Sequence, residues 1–409
     1  MNINTYDLST IPGFYYLIKL DTNIDDSHVL KLNKIECLIN NCIYKVIRYN
    51  KNLLCFDFIE TFGKCRSIIV NSANKVVCFS PPKSIPADIF IKKYPEFDKK
   101  NCIIAEEFIE GTMINVFFDP TIDVSGNWEI STRNNVGATT SFYKSKNSKT
   151  FRQMFMEAAK ENNLNINNLN NKLCYSFVLQ HPENRIVVSF NKPNLYLIGV
   201  YEIKHISSNI YVTSYDINDF KQIFNDLSAT IKFPKIYTFN KYSDLINKYC
   251  SMNTPYDILG VVIHNKTTGD RTKIRNPVYE EVKSLRGNQP KLQYQYLCLR
   301  KEGKVKNYLK YYPENKYDFS TYREQIHLFT NNLYNNYISC YIKKEKPLIE
   351  FNEEYRTHMF NIHQFYINEL REKHMFITNK IVQNYVNKLH PSLLMHTLNY
   401  HMHKKNMDN

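Results

Sequence analysis

The sequence predicts an α+β protein, with a strand-rich domain over 1–278 and an all-helical domain over 279–409. Three observations predict it. Short apolar runs separated by polar turns fill the first part, several with the period-two alternation of strands. Beyond residue 275 the apolar spacing becomes helical. Hydrophobic residues make up 43% of the chain and aromatic ones 14%, enough for a sizeable core and against global disorder.

Taken in order, strands are expected at 14–19, 43–47, 53–58, 65–70 and 76–79. The stretch 105–119, AEEFIEGTMINVFFD, reads as a strand, a tight turn at Glu110-Gly111 and a second strand. An acidic-glycine turn between buried strands places a side chain at the mouth of a pocket. Another strand covers 128–133, then an amphipathic helix covers 148–164 with Phe151, Met154, Phe155 and Ala158 on one face. Strands at 175–179 and 185–190 flank a loop carrying His181, and strands at 195–202 and 210–214 follow. Helices at 216–229 and 241–249 precede strands at 258–264 and 271–275. The helical part divides into 279–285, 292–299, 305–311, 322–341, 353–371 and 377–388.

The net charge of +14 points to a polyanionic partner, nucleic acid first, or an acidic protein. Residues 271–409 hold 23 Lys and Arg against 13 Asp and Glu, so most of the excess lies in the helical part. None of the ten cysteines forms a Cys-x-x-Cys pair, so no metal site is signalled and reduced thiols are expected. No signal peptide opens the chain, and no apolar run approaches the roughly 18 residues of a membrane span. A cytoplasmic protein without membrane contact is the expectation.

The candidate chemistry is cationic. Lys273 and Arg275 alternate on one strand face, aiming two cations at one anion. A solvated edge strand would look the same. Arg66 opens an apolar strand, as a phosphate contact or as a surface salt bridge. His181 is a base or ligand if a partner positions it, and otherwise a turn histidine bonded to backbone. Lys283, Arg286, Lys291, Arg300, Lys301, Lys304, Lys306 and Lys310 interleave with Tyr294, Tyr296, Tyr308, Tyr311 and Tyr312. That mixture suits phosphates and unpaired bases, or else tyrosines that pack a core beneath solvated lysines.

Five of these elements, from about 66 to 275, resemble in order and spacing the nucleotide-binding motifs of the RNA ligase and mRNA capping-enzyme superfamily. The likeness is greatest to phage-type RNA ligases. Arg66-Ser67 with its strand is similar to their Arg-Gly segment, and Phe108-Ile109-Glu110-Gly111 to their Lys-x-Asp/Glu-Gly. Tyr175-Ser176-Phe177-Val178 with Pro182-Glu183-Asn184-Arg185-Ile186-Val187 is similar to the third motif, Leu259-Gly260 to the fourth, and Lys273-Ile274-Arg275 to the fifth. The resemblance implies a ligase-type nucleotidyltransferase domain, unrelated to ATP-grasp, of two packed antiparallel sheets with flanking helices. It implies that Arg66, Lys83, Glu110, Arg133, Arg185, Lys273 and Arg275 face nucleotide or RNA phosphates. It places Phe108 where the family carries its nucleotidyl lysine, and Ser176 and Leu259 where the family carries metal-holding acids. A phenylalanine forms no phosphoramidate, and the lost acids recruit no Mg²⁺.

The reading that follows is a catalytically degenerate RNA-ligase-like protein. It binds RNA or other nucleic acid through the cleft and the basic helical domain, with no certain cofactor. Leu285-Arg286-Gly287-Asn288-Gln289-Pro290-Lys291 resembles a stretch in RNA-ligase-like proteins of giant DNA viruses, so a viral complex in host cytoplasm, viral factory or virion is the expected setting. A second reading is an active ligase using ATP and Mg²⁺, with Lys83 as displaced nucleophile and Glu106, Glu107, Glu110 and Asp257 as metal carboxylates. A third is a scaffold whose basic domain docks an acidic protein.

Overall fold

The structure, a computed structural model, describes residues 2–18, 31–39, 41–95, 102–142 and 148–402. It is mixed α+β, with antiparallel sheets and a helical C-terminal region. The chain divides into two compact units, Met1–Glu281 and Val282–Asn409.

The strands of the first unit are β1 (Asn2–Asp7), β2 (Leu32–Ile39), β3 (Cys42–Tyr49), β4 (Ile68–Val70), β5 (Val76–Cys78), β6 (Ile103–Glu107) and β7 (Thr112–Asp119). They continue with β8 (Asn127–Ser131), β9 (Leu173–Gln180), β10 (Asn194–Ile206), β11 (Asn209–Tyr215), β12 (Ile236–Tyr237), β13 (Gly260–Asn265) and β14 (Arg271–Arg275). They form three sheets among the described residues: a six-stranded one ordered β1-β11-β10-β9-β7-β8, and four-stranded ones ordered β12-β6-β13-β14 and β2-β3-β4-β5.

Strand alternation decides which face is buried where. On β6, β13 and β14, Ile103, Ala105, Val261, Ile263 and Ile274 pack against Phe90, Tyr242 and Leu245 of the helices Ala87–Lys93 and Tyr242–Tyr249. Their neighbours Ile104, Glu106, Val262, His264, Arg271 and Lys273 face a cleft. Across it, Met113, Val178, Ile198 and Tyr201 project from the six-stranded sheet. That sheet's opposite face packs Ile114, Phe177 and Leu197 beneath the helix Phe151–Glu161. A capping box starts this helix: the Thr150 side chain accepts from the Gln153 amide while Gln153 accepts from the Thr150 amide.

Three expected strands are not strands. Residues 14–18 form the helix Phe14–Ile18, because Phe14 and Ile18, one turn apart, both reach the core. The apolar run 53–58 ends in the short 3₁₀ turn Phe56–Phe58; a run this short fits strand or helix by pattern alone. Residues 185–190 join no sheet, because the amides of Val187 and Val188 donate to a carboxylate instead of a ladder.

The second unit is helical. It contains Leu292–Lys301, Val305–Tyr311, Lys316–Tyr337, Glu353–Phe365, Asn379–Lys388 and Pro391–Leu398. Aromatic residues build its core. Tyr296 and Tyr308 pack on Phe319 with ring centroids 4.9 and 5.0 Å apart, and Tyr308 stacks on Tyr312 at 4.7 Å. His358 is buried between the hydroxyls of Tyr385 (2.9 Å) and Thr397 (3.1 Å). None of the cysteines is disulfide-bonded. No helix among the described residues is long and apolar enough to cross a membrane.

Candidate functional site

The turn joining β6 to β7 organises the cleft. The Phe108 amide donates to the Gly260 carbonyl (3.2 Å), tying the turn to β13. Gly111 has φ +148°, and a Cβ there would lie 2.4 Å from the Leu179 carbonyl oxygen, so only glycine fits. Glu110 turns inward. Its carboxylate accepts the amides of Val187 (2.9 Å) and Val188 (3.1 Å), while Gln180 Nε2 donates to its backbone carbonyl (3.0 Å). Burial raises the Glu110 pKa, and the two amides work against that rise by stabilising the charged form. Glu110 is thus a staple between the turn and the 182–188 loop.

Two adjoining pockets make up the cleft, sharing Glu106, Ile198, His264 and Arg271. One also contains Arg66, Phe108 and Lys273. Arg271 is 9% exposed. Among the described residues Arg66, Arg271 and Lys273 form no ion pair, although each is removed from solvent to a degree that shifts its titration. The Arg271 Nε is buried without a hydrogen-bond partner, and Arg66 makes one long bond, to the Pro81 carbonyl (3.4 Å). Burial, and then the charge of Arg271 and Arg133, lowers the Arg66 pKa to about 10. Burial, and then the charges of Arg271, Arg66, Arg275 and Lys83, pushes Lys273 down to about 5. The Lys273 ammonium position lies 4.4 Å from the centroid of the Phe108 ring. The carboxylate of Glu106 pairs with His264 at 3.3 Å. The carboxylates of Glu106 and Glu107 line the same pocket, so its capacity for an anion rests on the Arg66 and Arg271 guanidiniums, which no carboxylate pairs among the described residues.

Two curated relatives share part of this sequence. Over 203 residues the chain is 27% identical to an RNA ligase of Rhodothermus phage RM378, covering 43% of this chain and 44% of the relative. Over 290 residues it is 24% identical to an immediate-early protein ICP-46 homolog of Invertebrate iridescent virus 6, covering 65% and 59%. The chain is distantly related in sequence to the RNA ligase superfamily. It spans about half the length of these two relatives. No protein-family model matches it. A solved Naegleria gruberi RNA ligase, a lysine-to-alanine mutant with ATP and Mn, aligns with 69% of this chain and 85% of its own at 14% identity and a TM-score of 0.32. An alignment this loose adds nothing to the sequence relationship.

Among the positions that matter to an RNA ligase, the cleft gathers Arg66, Phe108 and Lys273, and adds Arg271, two residues before Lys273 on the same strand face. Period-two alternation from Lys273 reaches Arg271 as readily as Arg275, so the signal for Arg271 was present in the sequence. Arg275 is exposed and pairs with Glu280 at 3.4 Å. Lys83 lines a neighbouring pocket with Lys64, Lys93 and Arg271. Arg133 lies over the Tyr49 ring at 5.3 Å, its buried Nε without a partner. The Arg185 Nε donates to the Val187 carbonyl (3.0 Å), within the loop that Glu110 holds.

At the positions where the resemblance places the family's acids, Ser176 is fully buried and donates to Asn115 Oδ1 (2.8 Å), and Leu259 is buried. Asp257 is exposed, and Glu107 accepts a long bond from the Lys235 amide (3.4 Å). No group of three or more metal-ligating side chains occurs among the described residues. With a neutral serine and a leucine at the acid positions, these residues do not fit a protein-held Mg²⁺. His181 is a turn histidine: Nδ1 accepts the Glu183 amide (3.2 Å), which leaves Nε2 to donate to Glu157 (3.0 Å). In the helical unit Lys291, Lys301, Lys304, Lys306 and Lys310 are exposed, and Lys283, Arg286 and Arg300 are half-buried. Tyr296, Tyr308 and Tyr312 are core residues. His401 pairs with Glu354 at 3.0 Å, and His403 lies outside the described residues.

Proposed function

We propose that this RNA-ligase-related protein binds the phosphates of a nucleotide or RNA end in the cleft between its sheets, and RNA through its basic helical unit. One observation carries the reading: Arg66, Arg271 and Lys273 converge on one cleft, and among the described residues no carboxylate is paired to any of them. Sequestering the two guanidiniums of Arg66 and Arg271 costs stability unless a ligand neutralises them, and a polyphosphate supplies the opposite charge. The family's own catalytic route through residue 108 is closed, because Phe108 has no nucleophile and the acid positions hold Ser176 and Leu259.

The test is binding of ATP, of GTP and of a 5′-phosphorylated single-stranded RNA, by calorimetry and filter capture. Affinity is expected to fall as salt rises. Replacing Arg66 and Arg271 together by alanine is expected to abolish nucleotide binding while the folded spectrum is retained. Salt-independent binding, or binding unaffected by the double replacement, sinks the reading.

A further inference from the structure

We propose that Lys273, on β14, is the residue that accepts a nucleotidyl group in this cleft, standing in for the lysine that RNA ligases carry where this chain has Phe108. The inference rests on the cleft being a phosphate site and goes beyond it, from holding an anion to reacting with one.

The sheet brings the two positions together. β13 lies between β6 and β14, and Val262 is paired with Glu106 on one side and Lys273 on the other. Phe108 directly follows β6 and is bonded to Gly260 of β13. A long side chain starting on β14 therefore reaches across β13, and the Lys273 nitrogen ends over the Phe108 ring at 4.4 Å. The amine that RNA ligases mount on the turn is here delivered from two strands away, beside the same residue. Lys83 lines the neighbouring pocket and not the one holding Phe108, and Lys266, in the cleft's other pocket, is paired with Asp216 at 2.6 Å.

The surroundings suit a nucleophile. An amine attacks phosphorus only with its lone pair free, and an ammonium has none. Burial and four neighbouring cations hold Lys273 mostly neutral at pH 7, with a value of about 5. The Phe108 ring face lies against the amine at 4.4 Å, and among the described residues no carboxylate pairs with it. Arg66 and Arg271 line the cleft with it and remain charged, available to the non-attacked phosphate oxygens. In the step, the Lys273 nitrogen attacks the α-phosphorus of a nucleoside triphosphate. A nitrogen–phosphorus bond forms, and the bond from that phosphorus to the α–β bridging oxygen breaks. Pyrophosphate leaves with the electron pair, and the nitrogen sheds one proton to it. The product is a lysine phosphoramidate of the nucleoside monophosphate and pyrophosphate, with no oxidant or reductant needed.

The experiment incubates the full chain with α-labelled ATP or GTP and Mg²⁺ as the nucleotide's own counter-ion, denatures it, and maps any adduct by mass spectrometry. Nucleotide binding is measured in parallel by calorimetry. The expected result is a label that acid removes and alkali does not, mapped to Lys273, lost in Lys273→Met and kept in Lys83→Met. Mapping on the unaltered chain answers the question even if Lys273→Met fails to fold. A label on any other residue overturns the proposal. Binding without label also overturns it while leaving the phosphate-site reading standing. Neither binding nor label overturns both.

Discussion

Among the described residues Lys273 has no carboxylate partner, and its nitrogen lies over the Phe108 ring at 4.4 Å. Its ordinary value of 10.5 falls to about 5 on folding, through burial and the facing charges of Arg271, Arg66, Arg275 and Lys83, with the carboxylates of Glu106 and Glu107 and the imidazole of His264 lining the same pocket. The folded state therefore binds fewer protons than the unfolded state between about pH 5 and 10.5. The penalty is complete below that window and fades as pH rises through it, so stability rises with pH there. Lys273→Met is expected to raise the melting midpoint at neutral pH by about 2–4 °C, near 1 kcal/mol for a unit of this size, and to flatten the rise. Thermal melts of both proteins at several pH values check it; an unchanged or lowered midpoint contradicts the burial argument. Glu110 is the opposite case. Glu110→Ala leaves two buried amides without acceptors and is expected to cost about 2–4 kcal/mol, read from urea unfolding. The sequence made the acid-glycine turn legible, but not the direction of its acid. Both a cleft-facing and an inward Glu110 fit the same letters, and only the Val187 and Val188 amides decide between them.

At the scale of elements, legibility followed the length and regularity of pattern. The 105–119 hairpin, the 271–275 strand and the long helices announced themselves, because their periodicities extend over enough residues to separate 2 from 3.6. Residues 14–18, 53–58 and 185–190 did not. The first two are short apolar runs, whose shape the core around Phe14, Ile18 and Phe62 chooses. The third has the composition of a strand, but its amides are already engaged by Glu110. The turn itself is demanding. Gly111→Ala puts a Cβ against the Leu179 carbonyl at φ +148° and is expected to destabilise the protein by at least ~2 kcal/mol. Equilibrium unfolding of that variant, with hydrogen exchange at residues 182–188, measures both the cost and the loosened loop.

For the whole molecule, charge is the feature on which partner choice turns. The exposed lysines 301, 304, 306 and 310 lie over a tyrosine core, so the rings that the sequence offered for base stacking are committed to packing in Tyr296, Tyr308 and Tyr312. Binding of RNA by this unit is then expected to be electrostatic and indifferent to sequence. Replacing the four lysines by alanine is expected to weaken single-stranded RNA binding uniformly across sequences. The slope of log affinity against log salt should shrink by about 0.7 for each phosphate that is no longer neutralised. Filter binding across a salt series measures that slope, and an unchanged slope removes these lysines from the interface.

The turn also separates two duties that a short motif appears to fuse. Glu110 and Gly111 are committed to architecture, one gripping a loop and the other making room for a carbonyl, while residue 108 is tied to the frame through its amide and lays its half-buried ring over Lys273. A chain of this kind can exchange its reactive side chain at little cost to the frame that held it. On the resemblance to RNA ligases, Phe108→Lys would set an amine at this turn and leave the Glu110 grip and the Gly111 approach as they are.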